Sequence, residues 1–132
     1  MRILLVDDNM LFAASAQRFL STFDSVEVVA VARGGREALD HLERQRADMV
    51  LMDLNMHGMN GLEATRRIKA LDPGIRIIVV SLDDTEEFRS AATNAGAENF
   101  VSKQDFVMRL PALINERETG GGLEAERPPT GQ

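Results

Sequence analysis

Five short apolar runs, Ile3–Val6, Val26–Ala32, Met49–Met52, Ile75–Val80 and Asn99–Val101, punctuate the chain, with longer amphipathic stretches between them. Four of them lack clean polar alternation, the pattern of strands covered on both faces, so they predict a parallel sheet with helices on each side. Phe12, Ala16, Phe19 and Phe23 recur at helical spacing and place three aromatics on one face. Core packing is the ordinary use of such a stripe and an aromatic ligand pocket the rarer one. Arg36–Gln45 carries Ala38, Leu39 and Leu42 on one face. Asn60 with Glu63 makes a capping box for a helix bearing Leu62 and Ile68, which must stop before Pro73-Gly74. Asp84 with Glu87 repeats the signature, and Gly96 suits the left-handed position that ends that fourth helix. A proline inside a helix costs about 3 kcal/mol. The last helix is therefore expected to begin near Leu110, with Pro111 in its first turn and a looser stretch before it. Five β-then-α units in register predict an α/β fold with a five-stranded parallel sheet and right-handed crossovers.

Composition narrows the chemistry. The 132 residues suit one domain, and 21 acidic against 15 basic residues leave a net charge of −6. With no cysteine, disulfides, thiolate metal sites and cysteine nucleophiles are excluded. The acidic balance argues against nucleic-acid binding through phosphate neutralisation. No apolar run approaches the ~18 residues of a membrane span. At the N-terminus only four apolar residues precede Asp7-Asp8, which is no signal pattern, so a cytoplasmic domain without a membrane partner is expected. Beyond Arg117 the composition changes. Residues 119–132 hold four of the ten glycines and two of the four prolines, which reads as a flexible tail or linker remnant over 118–132.

In open parallel sheets, ligands bind beyond the carboxyl ends of the strands. There the first strand ends in Asp7-Asp8, the third in Asp53 and the fourth in Ser81, while the fifth is followed by Lys103, one of only two lysines. Each has a plain structural use: the first two aspartates as helix caps, Asp53 as a turn residue, Ser81 as a strand end, Lys103 as a surface cation. All five together point elsewhere. Three close carboxylates repel unless a cation sits among them, and Mg²⁺, which takes oxygen ligands from one or two carboxylates plus a phosphate, is the natural ion. Asp53 is then free to act as a nucleophile.

The segments LLVDDNMLF, VLMDLNMHGMNGLEATRRIK, IIVVSLDD and AGAENFVSK, in this order and spacing, resemble those of a response-regulator receiver domain of two-component signalling. The resemblance covers about residues 1–117 and implies a doubly wound, flavodoxin-like (βα)5 three-layer sandwich. It further implies that Asp53 accepts a phosphoryl group from a sensor histidine kinase or phosphotransfer protein. By the same resemblance Asp8 is a direct Mg²⁺ ligand, Asp7 acts mainly through metal-bound water, and Asn55 offers its backbone carbonyl to the metal. Ser81 and Lys103 contact the phosphoryl oxygens, and Phe100 is a rotating aromatic switch. On this reading Ser81 and Lys103 gain partners only in the phosphorylated state. The readout face would be the fourth helix, fifth strand and start of the fifth helix, around Arg89, Phe100, Phe106 and Met108, with core packing the ordinary alternative for Phe106. A homodimer through that face, or through the first and fifth helices, is the implied assembly.

The chain departs from the family at three places. His57 and Gln104 stand where prolines are usual, and Phe100 lacks the hydroxyl of a tyrosine. A missing proline after the lysine, and ALDPGIRIIVVS, are in the style of regulators with a helix-turn-helix DNA-binding output. No output domain fits in the 15 residues after the receiver, so what the switch controls is expected to be another molecule or a domain outside this chain. Two rival readings are a degenerate receiver that binds partners without phosphorylation and an aspartate-nucleophile phosphohydrolase. The hydrolase would place an acid two residues after the nucleophile, where Asn55 is a poor proton donor.

Overall fold

The apolar runs pair in the order β2-β1-β3-β4-β5, all parallel, in a computed structural model that describes residues 1–56 and 59–115. The strands are β1 (Arg2–Val6), β2 (Glu27–Ala32), β3 (Met49–Met52), β4 (Arg76–Ser81) and β5 (Asn99–Ser102). The helices are α1 (Met10–Leu20), α2 (Gly35–Arg44), α3 (Gly61–Leu71), α4 (Glu86–Ala95) and α5, described over 106–115. This is the predicted (βα)5 topology, five helices flanking a five-stranded parallel sheet. His57 and the tail from 118 lie outside the described residues.

Alternate strand residues feed opposite layers, as the two-residue period of a strand requires. Ile3 and Leu5 of β1 pack with Ala13, Ala16 and Leu20 of α1 and with Phe106, Leu110 and Ile114 of α5. Leu4 and Val6 pack with Ala38 of α2 and Ala64 and Ile68 of α3. A smaller cluster under α4 joins Leu54, Val79, Ala92 and Phe100. The aromatic stripe is core packing: Phe12 meets Phe106 in a T-shaped contact at 5.4 Å between centroids, Phe19 meets Phe106 at 5.9 Å, and Phe23 closes on Phe19 at 5.3 Å.

Three local expectations need correction. The cap of α4 is Thr85, whose hydroxyl accepts from the Phe88 N–H at 3.4 Å, one residue later than the Asp84–Glu87 signature suggests. Asp83 holds that cap in turn by accepting from the Thr85 N–H. Gly96 does end this helix in the left-handed region, at φ 112°. Next, α5 begins at 106 rather than near Leu110, after a short 3-10 turn at Lys103–Asp105, and runs through Pro111. Phe106, Leu110, Leu113 and Ile114 are all buried, and burial of each such side chain contributes about 1.5–3 kcal/mol, together exceeding the ~3 kcal/mol cost of an interior proline. Finally, Phe106 is 3 % exposed and belongs to the core, not to a readout surface.

Candidate phosphoacceptor site

The strand order reverses between β1 and β3, and a crevice at such a point lies beyond the carboxyl ends of those two strands. Asp7 and Asp8 leave β1 there, and Asp53 leaves β3. The register of β1 on β3 pairs Val6 with Met52, so Asp7 and Asp53 emerge side by side; the Asp53 N–H donates to the Val6 carbonyl at 2.9 Å. One carboxylate oxygen from each of Asp7, Asp8 and Asp53 lies within 4.8 Å of the others.

None of these aspartates is spent on capping α1 directly. Asn9 is the cap and accepts from the Leu11 and Phe12 N–H groups, both at 3.1 Å. Asp7 Oδ1 fixes the turn by accepting from the Asn9 N–H at 2.8 Å. Its Oδ2 faces Lys103 Nζ at 2.8 Å, while Asp53 Oδ1 stands 3.8 Å from the same ammonium. Both the lysine and Asp7 are nearly buried. Lys103 therefore has a partner without any phosphoryl group, contrary to the expectation that it gains one only on phosphorylation. Ser81, fully buried, likewise already accepts from the Asp83 N–H at 3.1 Å.

Burial first, and the Asp7 carboxylate next, push the Asp53 carboxyl up from 3.8 to about 6; Lys103 and a hydrogen bond from the Asn55 backbone pull the other way, and Asp8 adds a further push upward. The donor atoms are all carboxylate oxygens, which suits a hard divalent cation. Asp7, Asp8, Asp53 and Lys103 thus stand together.

Phe100 lies in the cluster under α4. It is buried with Leu54, Val79 and Ala92, its ring lies 4.8 Å beneath the Arg89 guanidinium, and its carbonyl accepts from Arg109 at 3.0 Å. Met108 is 82 % exposed and does belong to the surface.

Gly61 was missed by reading for charged and hydroxyl groups. A Cβ there would stand 2.1 Å from the Asp53 carbonyl oxygen and 2.8 Å from Leu54 Cα, so only glycine lets α3 start against the backbone that carries Asp53. The signal was present: a glycine directly after the Asn60 cap, where no turn requires it. Gly61→Ala is expected to destabilise the chain by about 1–3 kcal/mol, because the obstacle is backbone rather than a yielding side chain. Urea unfolding of the two proteins measures this.

The comparisons with known proteins agree with this geometry. The family described as "Response regulator receiver domain" matches residues 3–115. The transcriptional regulatory protein DegU of Brevibacillus brevis is 34 % identical over 113 residues, covering 86 % of this chain and 47 % of its own length. A two-component response regulator of the LuxR family from Aurantimonas sp. SI85-9A1 superposes with a TM-score of 0.83 at 32 % identity, over 90 % of this chain and 85 % of that one. The signal receiver domain of NarL from Mycobacterium tuberculosis gives 0.82 at 27 %, over 90 % and 96 %. The chain spans about half the length of the curated relatives it matches. Among the described residues no helix is long and apolar enough to cross a membrane. The chain belongs to the response-regulator receiver family, related to the receivers of LuxR-family and NarL regulators, and is a domain of the phosphoacceptor kind rather than a classical catalytic enzyme.

Proposed function

We propose that the chain is a phosphorylation-activated switch in which Asp53 accepts a phosphoryl group from a sensor histidine kinase or a phosphotransfer protein. The observation that carries this reading is the meeting of three carboxylates, within 4.8 Å, with one nearly buried lysine at the strand-order reversal. Asp7, Asp8, Asp53 and the Asn55 carbonyl would hold Mg²⁺, which when bound neutralises carboxylate and phosphoryl charge. An Asp53 oxygen attacks phosphorus as the donor's P–N bond breaks; the imidazole nitrogen leaves with the electron pair and takes a proton. Lys103 and the Ser81 hydroxyl then meet the phosphoryl oxygens.

Phosphorylation replaces one negative charge with about two and adds three acceptor oxygens. Shifting a two-state equilibrium from 1:99 to 99:1 takes about 5.5 kcal/mol, and one charge-assisted hydrogen bond supplies roughly 1.5–3 kcal/mol. Lys103 must exchange Asp7 for phosphoryl oxygens rather than gain a first partner, so its net share is smaller. More of the shift therefore falls to the Ser81 proton and to repacking of Phe100 under Arg89. The resulting change is read on the α4-β5-α5 face, with Met108 exposed on it, or as a homodimer through that face or α1-α5.

On this reading residues 1–117 are the receiver domain of a cytoplasmic signalling protein, and 118–132 its tail or linker remnant. Incubation with Mg²⁺ and acetyl phosphate, following intact mass and dimerisation of wild type and Asp53→Ala, tests the assignment. A phosphoryl adduct on wild type alone is expected. Absence of an Asp53-dependent adduct sinks the assignment, and steady turnover of phosphate esters favours the hydrolase instead. Mg²⁺ alone is also expected to raise the melting temperature of wild type, by mass action on the folded state, and to raise it less in Asp53→Ala.

A further inference from the structure

We propose that Phe12 is a positioning residue for Lys103, holding the ammonium in the phosphoacceptor site through the face of its ring. The inference rests on the reading of Lys103 as the cation that meets the phosphoryl group. Lysine ends in a point charge on a flexible four-carbon stem, so its position is set by whatever confines it. Here three groups do so, with Asp53 Oδ1 at 3.8 Å one of them. Asp7 Oδ2 pairs with Nζ at 2.8 Å, and the Phe12 ring lies 4.5 Å below the same nitrogen. The ring face is the negative end of an aromatic quadrupole, and its attraction for a cation grows as water is removed. Only 8 % of the lysine side chain is exposed, which is the favourable case.

The ring is itself held in place. Its partner is Phe106, in a T-shaped contact at 5.4 Å and 70°, and Phe106 is buried and in turn packed on Phe19 at 5.9 Å. Phe106 follows Lys103 by three residues, through the Lys103–Asp105 turn. The contacts thus close a circuit: Lys103 to Phe12, Phe12 to Phe106, and the chain back to Lys103. The two carboxylates alone would let the ammonium swing between them. The ring limits that swing while leaving Nζ free to exchange Asp7 for a phosphoryl oxygen, since a π-face contact is less directional than a further ion pair.

The chain has only two lysines, so ¹³C-labelling of lysine side chains gives two ε-methylene signals, assigned by Lys69→Arg. In the folded wild type the Lys103 signal is expected upfield of its position in the urea-unfolded chain, by the ring current of Phe12. The displacement disappears in Phe12→Leu and persists in Phe12→Tyr. With saturating Mg²⁺, phosphorylation of Asp53 by acetyl phosphate is expected to slow about tenfold in Phe12→Leu and to stay within about twofold of wild type in Phe12→Tyr. Mg²⁺ affinity should be the same in all three, whereas general damage to the fold would lower it. A Lys103 signal without a ring-current displacement in the wild type overturns the proposal even if Phe12→Leu fails to fold. Equal phosphorylation rates in Phe12→Leu and wild type overturn it as well. Wild type that takes up no phosphoryl group on Asp53 overturns the function reading itself, and with it the role given to Phe12.

Discussion

Lys103→Met is expected to destabilise the metal-free chain by about 3–5 kcal/mol at neutral pH, the range for removing one partner of a buried ion pair. Methionine preserves most of the stem and its packing, so the loss isolates the charge. What remains is Asp7, 2 % exposed, and Asp53, 4 % exposed, beside Asp8, with the ammonium that stood 2.8 Å and 3.8 Å from the first two removed. The repulsion is then relieved when Asp53 takes up a proton or the cluster takes up a cation. Two dependences follow. Near pH 5 the deficit shrinks, because a protonated carboxyl no longer repels its neighbours. Added Mg²⁺ recovers stability in the variant by a larger increment than in wild type. Urea unfolding in chelator and in Mg²⁺, at pH 5 and pH 7, gives all four values. A variant as stable as wild type in chelator at pH 7 would show that the pair contributes nothing.

Asp53→Asn has the opposite sign. In chelator at pH 7 it is expected to be more stable than wild type by about 3 kcal/mol, the energy equivalent of a carboxyl raised from 3.8 to about 6. The direction follows from proton counting. Below pH 3.8 both folded and unfolded chains hold the proton, and Asp53 contributes no difference. Between 3.8 and about 6 the unfolded chain releases it while the folded chain retains it, so stability falls as pH rises. Above about 6 both are ionised and the full cost of a buried carboxylate beside Asp7 is present. The advantage of asparagine should therefore grow across that window and level off above it. Mg²⁺ should narrow it at pH 7, because the ion stabilises the carboxylate of wild type and has less to hold in the variant. A constant advantage from pH 3 to pH 8 would contradict the electrostatic origin.

Much of this was legible from residue order alone, for a physical reason. A parallel sheet buries both faces, so its strands are unbroken apolar runs, and its ligand edge is wherever those runs end. Asp7, Asp8, Asp53, Ser81 and Lys103 could be assembled in that way because each directly ends or follows a strand. What could not be read was set by tertiary contact. Pro111 argues locally for a late α5, and only the joint burial of Phe106, Leu110, Leu113 and Ile114 overrides it. Phe106 fits either the readout face or the core by sequence, and its contacts with Phe12 and Phe19 put it in the core. Asp84 is the stronger cap by residue type, yet Thr85 caps α4, its N–H in turn held by Asp83. The partnership of Lys103 with Asp7 rather than with Asp53 is a difference of 1.0 Å between two distances, 2.8 and 3.8 Å, and no spacing rule resolves that. The close approach of Gly61 to the Asp53 carbonyl is equally invisible without a backbone.

The most direct measurement is the site of phosphoryl attachment. After incubation with Mg²⁺ and acetyl phosphate, borohydride reduces an acyl phosphate to the alcohol, so only a carboxylate that carried phosphorus is changed. Trypsin cutting after Arg46 and Arg66 then releases residues 47–66, in which Asp48, Asp53 and Glu63 are the three acids. Fragment-ion sequencing is expected to find the reduced residue at position 53, with Asp48 and Glu63 intact and no reduction when Mg²⁺ is chelated. Reduction at another carboxylate, or none at all in the presence of Mg²⁺, would contradict the assignment of Asp53 as the phosphoacceptor.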